Sequence, residues 1–142
     1  MVEKTLTKEM IDSGENLIRK LDESGVQPDA AFWFYFPDTD EWKLVLAEVK
    51  VGRQGPKEVY RQIQEVLFKY SQQIGEVSLD NIALVKPDEP IVLLLGTAIR
   101  TGPGISGIRF KNNVINGMVI EDAYIYRLKS SAQQGQGPRQ TA

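Results

Sequence analysis

The stretch that decides the fold is residues 28–50, PDAAFWFYFPDTDEWKLVLAEVK. The turn signal Pro37-Asp38-Thr39-Asp40 separates two apolar runs, residues 30–36 and 42–50, which predicts a β-hairpin. Folding about the middle of this turn pairs residues whose numbers add up to 77. Residues 30–36 are apolar at every position, which is typical of a strand that is covered on both faces.

Helices are predicted on both sides of this hairpin. Apolar residues at helical spacing, with Thr7 as N-cap, predict a first helix over residues 7–24. A second helix is predicted from Gly55-Pro56 to Gly75, and a short strand over residues 81–86. Residues 87–100 predict a buried helix, although the apolar run inside this segment is equally compatible with a strand.

A second hairpin is predicted around Asn116-Gly117, because both central positions of a type I′ turn need positive φ. The cross-strand pairs that follow are Ile108 with Ile125, Phe110 with Ala123, and Lys111 with Asp122. The fold class expected from these elements is α+β: one compact domain over residues 1–128, with a mainly antiparallel sheet of two β-hairpins plus a short strand, packed against about three helices. Residues 129–142 are polar and rich in Gly and Gln, which predicts a disordered low-complexity tail.

The composition excludes several kinds of chemistry. The chain has no cysteine and no histidine, so it can form no disulfide, no Cys/His zinc site and no Ser-His relay. No apolar run, residues 30–36 and Ile91 to Leu95 included, approaches the roughly 18 residues of a membrane span. Residues 1–5 lack the apolar core of a signal peptide, so the expected location is cytoplasmic, away from membranes.

The hairpin register brings three functional groups together. Asp29 falls directly opposite Glu48, and Lys50 lies on the same face of the sheet as Glu48. Two carboxylates and one ammonium group can hold a hard cation such as Mg²⁺ and stabilise negative charge on a phosphoryl group. The sequence therefore predicts a metal site at Asp29 and Glu48, with Lys50 beside it.

This arrangement, followed by a helix that carries Gln62, resembles the PD-(D/E)xK nuclease superfamily over residues 15–64. The resemblance implies that Asp29 and Glu48 bind a divalent metal ion and that Lys50 activates water or stabilises charge. It further implies a supporting role for Gln62 and identifies Glu15 as the acid of the first helix. Nucleic acid is the partner that this similarity implies.

A second motif, Gly102-Pro103-Gly104-Ile105-Ser106-Gly107, matches the letters of the dinucleotide-binding pattern GxGxxG. That pattern needs a helix after it, whereas here a strand is predicted from residue 108, so we interpret the motif as a connection. Its backbone amides could also form an anion-binding nest. The residues of this candidate site are Arg100, Gly102, Gly104, Gly107 and Arg109.

The charge distribution is unlike that of a strong nucleic-acid binder. Residues 1–41 carry a net charge of -6 and residues 42–142 a net charge of +4, whereas a concentrated basic face would be expected. We therefore expect a small non-enzymatic binding or regulatory module that needs no cofactor and self-associates through an exposed strand edge. The alternative is a Mg²⁺-dependent PD-(D/E)xK-like phosphodiesterase that uses Asp29, Glu48 and Lys50.

Overall fold

The first hairpin forms in the register that its turn predicts. The computed structural model describes residues 5–50, 56–86 and 88–129, without the side chains of residues 48–50 and 56. Strand β1 spans Gln27–Phe36 and β2 spans Glu41–Lys50. Their partners include Gln27 with Lys50, Trp33 with Leu44, and Phe36 with Glu41, and the two numbers add up to 77 in each pair.

The other predicted elements are present with small differences in their ends. The helices and the remaining strands are α1 (Lys8–Glu23), α2 (Pro56–Lys69), α3 (Ser71–Ile74), β3 (Ile82–Val85), α4 (Pro90–Ala98), β4 (Ile108–Ile115) and β5 (Met118–Leu128). The second predicted helix is divided at Tyr70, where the backbone (φ -112°, ψ 30°) leaves the helical region. The predicted tail lies outside the described residues from residue 130 onward.

The strands form one mixed sheet in the order β3-β2-β1-β5-β4. Only β2 and β3 are parallel, since the chain crosses from one to the other through α2 and α3. The domain is α+β as predicted, with one helix more than expected. Within the described part of the chain, no helix has the length and apolar character needed to cross a membrane.

Both faces of the central strand are buried. Its odd-numbered aromatic residues, Trp33 and Tyr35, join the core beneath α1, α2 and α3. Phe32 and Phe34 point the other way, into the core beneath α4. The aromatic residues of β1 therefore fill the two cores, as the pattern of residues 30–36 predicted.

A β-bulge in β5 brings this strand into contact with α1. Ala31 pairs with Arg127 but Phe32 pairs with Ile125, so Tyr126 is an extra residue in β5. The hydroxyl of Tyr126 donates to the carbonyl of Ile11 in α1 and accepts from Trp33 Nε1 at 3.1 Å. Burial raises the pKa of the Tyr126 phenol well above its ordinary value, which keeps the hydroxyl protonated and able to donate.

The C-terminal hairpin also has its predicted register and turn. Asn116 (φ 50°) and Gly117 (φ 80°) both adopt positive φ, and the three predicted cross-strand pairs are present. The ion pair of Asp122 differs from the expected pair with Lys111. Asp122 accepts from Arg109 Nε at 2.6 Å and Nη2 at 2.7 Å rather than from Lys111, because the guanidinium fork matches a carboxylate and reaches it along the diagonal.

Helix α1 approaches the sheet so closely at Gly14 that a side chain cannot fit. A Cβ atom there would lie 2.5 Å from Tyr126 Oη and 2.7 Å from Trp33 Nε1. We therefore expect Gly14→Ala to lower the free energy of unfolding by about 1–3 kcal/mol, although alanine is the better helix former. Denaturation in urea measures the change.

Gly96→Ala in α4 is the matched control, because a Cβ atom there meets nothing within 4 Å. This variant should be unchanged or more stable by up to about 1 kcal/mol. Equal responses of the two variants would contradict the close approach of α1.

Candidate functional site

The backbone places Asp29 and Glu48 where the sequence predicts them. The pairs on either side, Pro28 with Val49 and Ala30 with Ala47, keep the register in which residues 29 and 48 are opposite. The side chains of Glu48 and Lys50 lie outside the described residues. The sharing of a cation by the two carboxylates therefore stays a prediction.

Asp29 is a buried carboxylate at the start of β1, with 5% of its surface exposed. Its Oδ1 atom lies 3.5 Å from Nζ of Lys129, the residue that follows β5. The two residues are also joined through the backbone, where the amide of Lys129 donates to the carbonyl of Asp29 at 2.9 Å. A lysine from the far end of the domain thus supplies positive charge at the predicted metal ligand.

Arg127 closes the side of the site that faces α1. Its guanidinium donates to both carboxylate oxygens of Asp22, at 3.1 and 2.6 Å, and to the carbonyl of Pro28 at 2.9 Å. Its Nε also reaches the carbonyl of Gly104 at 3.3 Å. The bulge makes this possible, since it turns Arg127 and the preceding Tyr126 toward the same helix.

These residues surround a small cleft of about 140 Å³. Its lining is Asp22, Gln27, Pro28, Asp29, Pro103, Arg127 and Lys129. The sequence reasoning missed Asp22, Arg127 and Lys129 as members of the site. One signal was present: Arg127 is a lone charge within the otherwise apolar run of residues 123–128, a pattern that indicates a buried ion pair.

Gln62 and Glu15, to which the nuclease resemblance gives supporting roles, lie outside this cleft. Gln62 donates to Glu58 Oε2 at 3.2 Å and lines a separate cleft of about 190 Å³ between α2 and the end of α1. Glu15 is paired with Arg19 on α1. Neither residue lines the cleft that contains Asp29.

Three or more carboxylates do not converge on a common cation position anywhere among the described residues. Because the Glu48 side chain is not among them, this observation leaves the Asp29 and Glu48 pair untested. Asp29 and Asp22 share the cleft, and each has a cation beside it.

The glycine-rich loop lies along β5 and does not open a helix. The amides of Thr101 and Ser106 donate to carbonyls of β5 at 3.0 and 2.6 Å, and β4 follows directly. The motif is therefore a connection between α4 and the hairpin, as interpreted from the sequence.

The anion site predicted for this loop remains a prediction. The positive-φ glycines among the described residues are Gly25, Gly75 and Gly117, so the glycines of this loop do not supply the left-handed residue of a nest. The hydrogen bonds to Asp122 raise the pKa of the Arg109 guanidinium and hold it against that carboxylate.

Removal of Arg127 should destabilise the fold strongly. Arg127→Met leaves Asp22 without its bidentate partner and two carbonyls without their donor, so we expect a loss of about 3–5 kcal/mol in urea unfolding. Arg109→Met is the control, since the side chain of Arg109 is 36% exposed and that of Arg127 only 4%. Water therefore screens the Arg109 pair more, and a loss of about 1 kcal/mol is expected. Similar losses in both variants would refute the special role of Arg127.

Comparisons with known proteins give no relative for this chain: no protein-family model, no curated protein and no solved structure matches it. The resemblance to PD-(D/E)xK nucleases therefore depends on the quoted residues alone. Function has to be argued from the surfaces and clefts of the domain itself.

Proposed function

We propose that this protein is a small non-enzymatic binding module whose binding surface is the hairpin tip, residues 113–120. The single observation that supports this proposal is the exposure of apolar side chains there: Val114 is 65% and Val119 61% exposed, and Met118, beside the turn on the face of Ile120, is 54% exposed. Val114 and Val119 are cross-strand partners, so they form one continuous patch. Apolar groups clustered in this way are typical of surfaces that bind another protein.

The hairpin tip is exposed because it extends past the central strand. Strand β1 pairs with β5 only as far as Phe34 and Ala123, and β5 continues beyond this point to Met118. Ile120 belongs to the core beneath α4, whereas Val119 and its partner Val114 point away from that core. The face of the tip that carries Ile120 thus packs against the core, and the opposite face exposes Val114 and Val119.

The partner that we propose is a second copy of this chain. Apart from Arg109, which is paired with Asp122, the exposed charged residues of the hairpin are one base and one acid, Lys111 and Glu121. A twofold axis through such a patch brings like apolar groups together and matches each base with the acid of the other copy. Strand β4 is an edge of the sheet, so no other strand of the described part of the domain pairs with its outer side.

The polar tail is a poor alternative occupant, because residues 130–142 contain no large apolar side chain. Binding by the hairpin tip requires no cofactor. The proposal includes the cytoplasmic location expected from the sequence.

Val119→Lys should abolish self-association. The side chain is exposed, so the substitution should leave the fold intact while placing a charge in the middle of the interface. Sedimentation equilibrium should detect the wild-type dimer at concentrations on the order of 100 µM, because an interface this small is expected to be weak.

Phe68→Lys on α2 is the control, since Phe68 is 85% exposed but lies far from the tip in sequence and on another element. This variant should dimerise like the wild type. A wild-type protein that stays monomeric at every concentration, or a Phe68→Lys variant that loses the dimer equally, would refute the proposal.

A second candidate function is a Mg²⁺-dependent phosphodiesterase. The observation that favours it is the hairpin register, which sets the backbones of Asp29 and Glu48 opposite one another beside a concave cleft. The donor set suits a hard cation, because it consists of carboxylates. The ammonium of Lys129 beside Asp29 is already a positive group at this place.

In this alternative, Asp29 and Glu48 would hold the metal ion, which when bound would polarise a phosphodiester and lower the pKa of a coordinated water. Lys50 would stabilise the negative charge that develops on the phosphoryl oxygens. Lys129, whose side chain is 36% exposed, would be the positive group at the mouth of the cleft.

The thermal stability of the protein in the presence of metal ions tests this alternative. If the site exists, Mg²⁺ or Mn²⁺ at about a hundred times its Kd should stabilise the fold by about 2.7 kcal/mol. Glu48→Gln should stabilise the metal-free protein, since opposed like charges repel, and should abolish the response. Lys50→Ala should keep the response and lose nicking of DNA or RNA.

Glu121→Gln is the control for these measurements, because it removes an exposed carboxylate from another strand. It should leave the metal response unchanged. A melting temperature that does not vary with either ion would exclude the alternative.

A further inference from the structure

The C-terminal hairpin reverses the facing of its side chains once along its length. In β5, Ala123 and Ile125 pack into the core beneath α4, so regular alternation would place Ile120 on the opposite face of the sheet. Ile120 nevertheless packs into the core beneath α4 as well. In β4, Phe110 and Ile115 are separated by an odd number of positions, yet both pack against this same core. The facing of each strand therefore changes between the body of the hairpin and its tip.

Asn112 lies where this change takes place. Its φ of 54° is in the left-handed region, although the residue is inside β4. The ladder pairs Lys111 with Asp122 and then Asn113 with Ile120, and it passes over Asn112. The side-chain amide of Asn113 donates to the carbonyl of Lys111 at 3.2 Å, across the left-handed residue. A left-handed residue within a strand turns the backbone, so that the side chains that follow it point to the other face.

We infer that Asn112 determines which face of the hairpin tip is presented to a partner. The inference rests on the proposed function of the tip and identifies a residue that sets its specificity. While Asn112 is left-handed, Val114 and Val119 are exposed. With residue 112 extended, alternation would continue unbroken from Phe110. Val114 and Val119 would then face α4, and Ile120 would face outward.

The composition of the tip leaves this choice to the backbone. Val114 and Val119 lie on one face, and Ile115 and Ile120 lie on the other, so both faces are apolar. Because the hydrophobic effect follows the buried apolar area, burial alone discriminates weakly between the two orientations. The conformational preference of residue 112 therefore decides between them. Asparagine enters the left-handed region readily, whereas a β-branched residue is an outlier there.

Thiol labelling measures which face is exposed, because the chain has no cysteine and an introduced thiol is unique. The full chain is labelled at concentrations well below those at which copies associate. Val119→Cys should react at least about tenfold faster than Ile120→Cys, whose thiol reacts only when the tip opens. Addition of Asn112→Val should reverse this order, because valine favours the extended backbone. Addition of Asn112→Gly should preserve it, because glycine readily adopts positive φ.

Asn113→Val is the matched control, since it introduces the same side chain one position further along, where φ is not positive. It should leave the order of labelling unchanged. Asn112→Ala disfavours positive φ with less strain, and it replaces Asn112→Val if circular dichroism shows that the valine variant is unfolded. Val114→Cys repeats the measurement at an exposed position of the other strand, so that the result does not depend on a change in the core at Ile120.

The labelling separates this inference from the proposed self-association, because it is measured on the monomer. An unchanged order of labelling with Asn112→Val, or a reversed order with Asn113→Val, overturns the role of Asn112. A reversed order with Asn112→Val alone supports it. If that reversal is observed but the wild type stays monomeric in sedimentation equilibrium, Asn112 sets the facing of the tip and the proposed dimer falls.

Discussion

The rest of the structure depends on one irregularity, the β-bulge at Tyr126 in β5. A regular strand would direct Tyr126 and Arg127 to opposite faces of the sheet, but the bulge turns both toward α1. Tyr126 then binds the N-terminal half of that helix at Ile11, and Arg127 binds its C-terminal end at Asp22. Tyr126 and Arg127 thus hold helix α1 against the sheet at two points about three turns apart. Gly14 lies between these points and allows the helix to approach the sheet closely.

The same bulge builds the cleft beside Asp29. Arg127 joins the end of α1, the start of β1 and the glycine-rich loop through its hydrogen bonds to Asp22, Pro28 and Gly104. Two residues later, Lys129 reaches Asp29. The contacts to α1 and the charges of the cleft therefore come from the same end of β5, whereas the hairpin tip is at the other end of that strand.

The parts of the candidate site that the sequence predicts are those joined by a tight turn. Asp29 and Glu48 are on the two arms of one short hairpin, so the turn alone sets their register. The charges that complete the cleft, Asp22, Arg127 and Lys129, come from segments about one hundred residues apart. No turn relates them. Asp122 forms its ion pair with Arg109 and not with Lys111, its partner in the register, so even a known register does not decide which of two nearby cations a carboxylate binds.

The sequence by itself determined the helices on either side of the first hairpin, both hairpins, their registers and the α+β class, because periodicity and turn residues act over a few positions. Only the tertiary structure decided that residues 90–98 are helical, that β3 joins β2 in parallel, and that the glycine-rich loop lies along β5. It also decided that β5 contains a bulge and that Asp22, Arg127 and Lys129 lie around Asp29. These features depend on which surfaces pack together, and an apolar run or a lone arginine has the same local signal whatever it will later contact.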